Sequence, residues 1–314
     1  AVIAMTAILT GSSFSQYLTE DFESAFTGTP PAPTGWSQSV LYAVNTAAGV
    51  TPSGTDGSKT WLRNTWTGSA WTETSLGSVP TGAASGTGVL FMNDYNWGGT
   101  STPIQQARME SSSFNLTAST SPYVRFYWFA NQGVGLTLNM RVMVSSNGGA
   151  TWDVLTPVVN GFTVTNLTWN RISILIPAAY RTANCKIAIE MTNRWGSNSA
   201  YLDLLTVEEF TPTTITSAAS GDWNAGATWV GGVVPTADNN VVIAGTHTVT
   251  VTNAASTTGI IGRCQNLTIN SGGILAHGLG TANLLHVFGN VSVSGTLNAF
   301  NGTSGRTLYV GGNF

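Results

Sequence analysis

The sequence predicts an all-β protein, in which an N-terminal β-sandwich is followed by a β-solenoid. Three observations lead to this prediction. No segment shows a sustained helical period of apolar residues. Short strand-like segments recur through the first two thirds of the chain. In the last third, a short strand rich in Val and Ile recurs with Gly and Asn at a nearly constant spacing.

The composition is that of a folded chain without a basic surface. The chain has 314 residues, which is enough for two domains. Only 8% of the residues are charged, but 11 Trp, 12 Phe and 8 Tyr supply apolar surface to bury, so the low charge does not indicate disorder. The net charge is −3 and the basic residues are scattered. This pattern excludes a nucleic-acid partner and a polybasic membrane patch.

The first 15 residues have the pattern of an export signal. Residues 1–9 are apolar, too short to span a bilayer, and are followed by the small residues Ser13 and Ser15. We interpret residues 1–15 as the remnant of a signal peptide and expect an extracellular or outer cell-surface location. A buried first strand is the alternative, because short apolar runs are ambiguous. No segment of the chain predicts a transmembrane span.

Two cysteines, Cys185 and Cys264, fall in the two different modules. An exported protein can form a disulfide, but a bridge between separate modules is less expected than two buried free thiols. The two residues do not form a metal-binding pattern.

Residues 17–210 predict the sandwich, since many short strands occur in fewer than 200 residues. Several strands alternate clearly: Val142 and Val144 share one face, and so do Ile172, Ile174 and Ile176. Residues 145–152 predict a hairpin, because an Asn can cap its own turn and Gly supplies a positive φ. This segment resembles an Asp-box hairpin with Asn147 in the place of the Asp, which is a structural motif.

The first module resembles the MAM-like or choice-of-anchor jelly-roll domains of secreted bacterial proteins. The matching motifs cover nearly the whole module and are residues 21–23, 33–36, 113–116, 145–152, 169, 178–180 and 201–204. The resemblance implies a jelly roll that serves as an extracellular recognition or spacer unit. It also implies a structural Ca²⁺ between the first and last strands, with Glu23 and Asp203 as ligands. The family often has a second acid where Leu204 stands, and Ca²⁺ takes six to eight oxygen ligands.

Residues 211–220 are interpreted as a linker and residues 221–314 as the start of the solenoid. Residues 266–273 are echoed by residues 290–295 after a step of 24, and residues 288–291 by residues 311–314 after a step of 23. The segment 221–243 resembles the entry of β-helix regions in surface proteins exported by the type IX secretion route. This resemblance implies an incomplete right-handed β-helix, continued by more coils and a sorting domain after Phe314.

The solenoid offers no catalytic carboxylates. Residues 239–314 contain no Asp, Glu or Lys, which excludes a carboxylate pair for glycoside hydrolysis and a carboxylate-bound Ca²⁺ there. His277 and His286 have no third metal ligand beside them and are interpreted as outward or edge residues. Asp222 and Asp238 are predicted to cap turns. Motifs of Gly-x-Ser-x-Gly, HExxH and P-loop type are absent from the chain, so we expect that it is not an enzyme.

Aromatic residues are the best candidates for ligand binding. Aromatic rings beside polar groups can form a platform for stacking on sugars, and their alternative role is in the core, since Trp is highly buried on average. The candidate residues are Trp61, Trp66, Trp71, Trp97, Asn93 and Asp94.

We therefore hypothesise a non-catalytic, exported surface adhesin or matrix protein, with a jelly-roll recognition module on a solenoid stalk. Glycans or other surface proteins are the expected partners. The second hypothesis is a carbohydrate-binding region at the front of a larger polysaccharide-degrading enzyme. The third is a binding domain that depends on a cation such as Ca²⁺, as a structural cofactor.

Overall fold

The computed structural model describes residues 15–44, 61–72, 79–93, 104–131, 139–155, 159–160, 166–194, 199–252, 262–278, 284–298 and 307–314. The regular elements within these ranges are β-strands and short 3-10 turns, which confirms the all-β prediction. None of the described segments forms a helix of the length and apolarity needed to cross a membrane. The predicted signal peptide lies outside the described residues except for Ser15.

The N-terminal module is a β-sandwich of two antiparallel sheets. Its strands are β1 (Gln16–Glu20), β2 (Ser37–Val44), β3 (Leu62–Thr65), β4 (Gly88–Asn93), β5 (Ile104–Glu110), β6 (Pro122–Asn131), β7 (Asn139–Ser145), β8 (Asp153–Val154), β9 (Val159–Asn160), β10 (Asn166–Leu175), β11 (Lys186–Arg194) and β12 (Ser199–Glu209). The first sheet has the order β10-β6-β12-β4-β3, with β1 also paired to β12. The second sheet has the order β2-β5-β11-β7-β8, with β9 also paired to β7. A 3-10 turn at Ala178–Tyr180 precedes β11.

The sandwich core lies between these two sheets, as the alternation in the sequence predicts. The side chains of Ile172, Ile174 and Ile176 on the first sheet are buried in the same apolar cluster as those of Val142 and Val144 on the second. These apolar residues recur at every second position because successive side chains of a strand point to opposite faces.

The predicted hairpin at residues 145–152 is confirmed, since β7 and β8 pair antiparallel across it. Asn147 closes the turn, because its Oδ1 accepts the Thr151 amide at 3.0 Å and its Nδ2 donates to the Thr151 hydroxyl at 2.8 Å. Gly148 and Gly149 have φ angles of 74° and 97°, which few residues other than glycine adopt.

The C-terminal module is a β-solenoid with three parallel sheets, as predicted from the repeats. The first sheet has the order β13-β15-β18-β21, the second β14-β16-β19-β22 and the third β17-β20-β23. The strands are β13 (Thr213–Thr216), β14 (Gly221–Asp222), β15 (Asn239–Ile243), β16 (Thr248–Val251), β17 (Gly262–Cys264), β18 (Leu267–Ile269), β19 (Ile274–His277), β20 (Leu284–Val287), β21 (Val291–Val293), β22 (Thr296–Asn298) and β23 (Thr307–Val310). β13 lies inside the stretch that the sequence analysis assigns to a linker, so the first coil begins before Gly221.

An asparagine ladder connects successive coils at the start of the first solenoid sheet. Asn266 Nδ2 donates to Asn240 Oδ1 at 2.7 Å, and Asn266 Oδ1 accepts the Asn290 amide at 2.8 Å. Asn290 Oδ1 in turn accepts the Asn313 amide at 2.7 Å. The Asn residues that mark the repeats in the sequence therefore satisfy backbone groups at the turn of each coil.

Two indoles of the entry segment pack against each other and close the first end of the solenoid. Trp223 and Trp229 are buried and meet edge to face at 5.1 Å, and Trp229 Nε1 donates to the Trp223 carbonyl at 2.7 Å. Short 3-10 turns at Gly226–Thr228 and Val230–Gly232 stand where the third sheet has no strand in this coil. Asp222 caps its turn as predicted, since its Oδ1 accepts the Asn224 amide at 2.8 Å.

Cys185 and Cys264 are both buried and both free, as the sequence analysis expects. Cys185 belongs to the core of the sandwich and Cys264 to the core of the solenoid. Burial raises the pKa of the Cys185 thiol to about 12, so this thiol is protonated at neutral pH.

The prediction that Asp238 caps a turn is wrong, because its carboxylate joins the two modules. Asp238 Oδ2 lies 2.7 Å from Arg125 Nη2 on β6, and Asp238 Oδ1 accepts the Ser173 hydroxyl on β10. Arg125 also pairs with Glu208 at 2.6 Å and stacks over the Phe210 ring at 3.9 Å. We call this group of residues the docking cluster.

Apolar and amide contacts continue the docking cluster. Ala237, Leu284 and Phe288 of the solenoid segment belong to the same apolar cluster as the sandwich core. The terminal amide of the buried Gln265 lies 2.9 Å from the Ser173 carbonyl and 3.1 Å from the Ala237 carbonyl, and we assign its nitrogen to this side because it then donates to both. The solenoid therefore packs on the outer face of the first sheet of the sandwich.

We expect Asp238→Asn to lower the free energy of unfolding by about 1–3 kcal/mol, because it leaves a partly buried Arg125 with one carboxylate partner fewer. The measurement is urea unfolding followed by tryptophan fluorescence. Asp222→Asn is the matched control, since an Asn keeps the oxygen that accepts the Asn224 amide. Equal unfolding midpoints for the two variants would contradict the role of the docking cluster.

Candidate functional site

A second apolar cluster covers the outer face of the first sandwich sheet, at the end where β4, β6 and β12 meet. We call it the aromatic cluster. Its buried members are Trp71, Val89, Phe91, Phe129 and Tyr201, and Trp66, Ala83 and Trp169 pack against them while only partly buried. The rings of Phe91 and Tyr201 lie 4.9 Å apart, and those of Trp71 and Tyr201 lie 5.3 Å apart. This surface is therefore a base of buried rings with two indoles at its margin.

The three tryptophans spaced by five residues do not form a row. Trp61 is fully buried between the two sheets, whereas Trp66 packs on the outer face of the first sheet. Five is an odd spacing, so two residues on either side of a short strand point to opposite faces. Trp71 is 8% exposed and faces Trp66 across the tight turn 67–70, with ring centroids 5.3 Å apart. The rings of Trp61 and Trp71 are thus covered by the protein itself.

The partly buried indoles of Trp66 and Trp169 converge on one glycine. Trp169 Nε1 donates to the Gly82 carbonyl at 2.9 Å. A Cβ placed on Gly82, whose φ is 159°, would lie 3.8 Å from Trp66 Nε1. Trp66 and Trp169 are 103 positions apart in sequence and lie at the two opposite ends of the strand order of the first sheet, next to β3 and on β10. The Gly82 segment, which contacts both indoles, connects them. The predicted platform did not include Trp169, although Trp169 follows the outward period of β10.

The other three predicted platform residues are Asn93, Asp94 and Trp97. Trp97 and Asp94 lie outside the described residues, and of Asn93 only the backbone at the end of β4 is described. The pairing of β4 with β12 puts Asn93 opposite Ser199, at the same end of the sheet as Tyr201. The predicted roles of Asn93, Asp94 and Trp97 in ligand binding therefore stay predictions.

The two predicted calcium ligands, Glu23 and Asp203, lie at a gap in the first sheet. β12 pairs with β4 up to Leu202 and with β1 from Leu205 onwards. At this break Leu204 has a φ of 46°. Asp203 is 0% exposed, and its two oxygens accept the Ser85 and Leu204 amides, each at 2.7 Å. Because the pairing is broken here, the buried carboxylate of Asp203 lies in the space between β1 and β4.

Glu23 closes the same gap from the end of β1. Its Oε1 accepts the amides of Thr87 and Gly88, each at 2.8 Å, and its Oε2 accepts the Thr87 hydroxyl at 3.0 Å. A Cβ placed on Gly86, whose φ is 58°, would lie 2.2 Å from Glu23 Oε1, so a larger residue there would displace the carboxylate. We call Glu23 and Asp203 together the carboxylate pair.

The two carboxyl groups differ in their electrostatic environment. Burial raises the pKa of Asp203 to about 7, against hydrogen bonds from Ser85, Leu204 and Ala84 that lower it, and the nearby Glu23 adds to the rise. Burial also acts to raise the pKa of Glu23, but hydrogen bonds from Gly88 and Thr87, with the charge of Arg63, lower it overall. Burial therefore disfavours the charged form of Asp203, and a neighbouring positive charge would stabilise that form.

The carboxylate pair fits a hard cation in charge and in donor type, because carboxylate oxygens are ligands that Ca²⁺ prefers. Both groups already accept hydrogen bonds. Glu23 Oε1 accepts two amides, which occupies both of its lone pairs, whereas Glu23 Oε2 accepts one hydroxyl and retains a further lone pair. Within the described parts of the chain, no three His, Cys, Asp or Glu side chains come together as a metal site. Two carboxylates supply part of the six to eight oxygens that Ca²⁺ takes, so backbone carbonyls or water would supply the others.

Several other carboxylates of the sandwich have structural partners. Glu190 pairs with Arg108 at 2.6 Å, and Glu208 pairs with Arg125 at 2.6 Å. Glu209 accepts the Ser121 amide at 2.8 Å and the Tyr17 hydroxyl at 2.9 Å. These contacts hold strands and turns together.

Comparison with known proteins gives no family for this chain. No family model matches it, and no curated protein matches it. The K1 cleaved adhesin domain of Lys-gingipain from Porphyromonas gingivalis W83 is a similar solved structure, with 14% identity, a TM-score of 0.39, and coverage of 63% of this chain and 100% of that one.

Two further solved structures are similar to this chain. The K3 cleaved adhesin domain of Lys-gingipain from Porphyromonas gingivalis has 18% identity, a TM-score of 0.36, and coverage of 62% of this chain and 99% of that one. The CBM22-1 xylan-binding domain of Paenibacillus barcinonensis Xyn10C has 10% identity, a TM-score of 0.31, and coverage of 62% of this chain and 94% of that one. At such identities and TM-scores, these likenesses identify neither a ligand nor an activity for this chain.

Proposed function

We propose that this protein is an exported, non-catalytic adhesion module, in which the sandwich binds a glycan and the solenoid serves as a stalk at the cell surface. The observation that supports this proposal is the pair of partly buried indoles, Trp66 and Trp169, above the buried rings of the aromatic cluster. Ligand sites are lined by aromatic and apolar side chains with a few polar groups, and an indole face offers a rigid surface to the apolar face of a sugar.

The architecture of the aromatic cluster supports a binding role. Trp169 is fixed by its hydrogen bond to Gly82, and its ring lies 5.9 Å from that of Phe129. Trp66 is held 5.3 Å from the ring of Trp71, which itself donates to the Pro80 carbonyl at 2.9 Å. Rings that are fixed before binding lose little conformational entropy when a ligand arrives.

The use of the carboxylates favours binding over hydrolysis. Glycoside hydrolysis requires two carboxyl groups that face the same sugar bond. In the sandwich, Glu190 and Glu208 are held by arginines, and Glu209 is held by hydroxyl and amide donors. Glu23 and Asp203 lie beside each other, but amides and a hydroxyl occupy them at the gap in the first sheet. A binding region at the front of a larger polysaccharide-degrading enzyme would use the same aromatic cluster, so one experiment on the cluster serves both hypotheses.

We expect Trp66→Ala to weaken binding to a polysaccharide about tenfold, since the loss of one stacked ring removes about 1.4 kcal/mol. The measurement is affinity electrophoresis in gels that contain β-glucan, mannan, xylan or pectin. Trp152→Ala is the matched control, because Trp152 is a partly buried tryptophan of the hairpin on the other sheet, where it stacks with Arg108. Unretarded migration of the wild-type protein in every gel, or equal weakening by both variants, would refute the proposal.

We also propose that the carboxylate pair binds a structural Ca²⁺. The buried Asp203 beside Glu23 supports this proposal, because a divalent cation would offset both the burial of a carboxylate and the repulsion between the two groups. Bound in the gap of the first sheet, the ion would hold the end of β1 to the strand break in β12.

The raised pKa of Asp203 leads to a pH-dependent stability. An unfolded Asp has a pKa of about 3.9, so between that value and about 7 the folded state binds more protons than the unfolded state. Without metal, the stabilising effect of protonation is complete below the unfolded pKa and is lost as the pH rises to about 7. We expect the melting temperature of the wild type to fall over this range relative to that of Asp203→Asn, whose amide does not titrate.

Addition of Ca²⁺ separates the two parts of this proposal. In a thermal melt at pH 7.5, 1 mM CaCl₂ should raise the melting temperature of the wild type by about 2–4 °C over that in EGTA. Neither Asp203→Asn nor Glu23→Gln should respond. A wild type that melts at the same temperature in both buffers would exclude the cation and leave the pH dependence of Asp203 standing.

A further inference from the structure

We propose that Arg263 anchors a carboxylate-binding site on the outer face of the third solenoid sheet, beside the docked sandwich. Its ligand would be the carboxylate of a small polar molecule such as a uronic acid. This site is separate from the aromatic cluster and does not depend on the proposed glycan binding there.

The strand register places Arg263 in a column with two ring side chains. Gly262 and Cys264 point into the solenoid, so Arg263 between them points out. On the neighbouring coils Arg263 is aligned with His286, and His286 with Tyr309. The rings of His286 and Phe288 are stacked at 4.1 Å. The guanidinium therefore lies at the edge of a surface of flat rings.

The guanidinium of Arg263 lacks a compensating group among the described residues. Its Nη2 is buried and has no hydrogen-bond partner there, although part of the side chain remains accessible. No Asp or Glu occurs between Asn239 and Phe314. Burial lowers the pKa of Arg263 to about 9, so it is still charged at neutral pH. A buried, uncompensated charge destabilises a fold, and residues of this kind are kept where they serve a function.

Other partly buried arginines of the chain have partners for their guanidinium groups. Arg125 has two carboxylate partners at 2.6 and 2.7 Å, and Arg108 contacts Glu190 at 2.6 Å. Arg181, which has no such ion pair, donates to the carbonyls of Ile176 at 3.1 Å and Thr120 at 2.8 Å. Arg263 Nη2 has no such partner among the described residues, so it can donate to a ligand.

The position and charge of the site favour a carboxylate. A guanidinium presents parallel N–H donors that match the two oxygens of a carboxylate. Burial and the charge of Arg263 lower the pKa of His286 to about 3, so its imidazole is neutral and the site carries one positive charge. Leu284 and Phe288 on the same outer face pack with the sandwich core, which places the column beside the contact between the modules. Ligand sites occur preferentially at such contacts.

The experiment is a set of thermal melts of the whole chain with four solutes at equal ionic strength: sodium glucuronate, sodium acetate, sodium sulfate and sodium chloride with glucose. We expect glucuronate to raise the melting temperature of the wild type by about 2 °C or more relative to chloride with glucose. A comparable rise with acetate would show that the carboxylate alone is recognised. A larger rise with sulfate than with glucuronate would overturn the carboxylate assignment.

Variants of Arg263 separate a ligand site from a structural role. Without ligand, Arg263→Met should raise the melting temperature by about 1–3 °C, because it removes an uncompensated charge, and it should abolish the response to glucuronate. Arg141→Met removes one positive charge from the partly exposed surface of the sandwich and should keep the full response. The proposal is wrong if Arg263→Met melts at a lower temperature than the wild type, or if the wild type does not respond to glucuronate.

Discussion

The contact between Asp238 and Arg125 determines how the two halves of this chain are arranged. Asp238 is the last Asp or Glu of the sequence, and it lies three residues after Pro235 in the entry segment. It reaches the outer face of the first sandwich sheet, where Arg125 also holds Glu208 and stacks on Phe210. The ion pair is partly buried, and the buried Gln265 and apolar residues around it make the sandwich face and the solenoid wall one continuous interior.

The outer face of the first sheet therefore has two different uses. At one end it carries the docking cluster and is covered by the solenoid. At the other end it carries the aromatic cluster, against which Trp66 and Ala83 pack. Because the solenoid occupies the first end, a ligand of this face is directed to the second, where Trp66 and Trp169 stand. The gap that contains the carboxylate pair lies in the same sheet, between β1 and β4.

The solenoid is built almost without charge, and this constraint explains its construction. Its turns are satisfied by the amides of Asn240, Asn266 and Asn290 in place of ionic groups. Its first end is closed by the indoles of Trp223 and Trp229. Against this background the charge of Arg263 stands out, since nothing in the later coils neutralises it. A ladder of neutral amides can be extended from coil to coil by contacts between neighbouring coils. A single buried charge, in contrast, needs a partner of opposite charge at its own position.

The sequence by itself determined the class of the fold, because periodicity is a local property. Alternation in residues 142–144 and 172–176 predicted buried strands, the Asn and Gly at 147–149 predicted a hairpin, and the 23- and 24-residue echoes predicted the coils. The absence of carboxylates after Asp238 also led to the expectation that recognition belongs to the sandwich, which stays a prediction.

Tertiary structure alone decided which side chains meet. An odd spacing along a strand reverses the face, so Trp61 became core and Trp66 surface. The Gly82 segment connects Trp66 to Trp169, which lies 103 positions away in sequence. The turn expected from Asp238 became a bond between modules because the solenoid docks on Arg125. The burial of Asp203 depends on a break in the pairing of β12. Contacts of this kind arise between strands remote in sequence, and a local pattern contains no information about them.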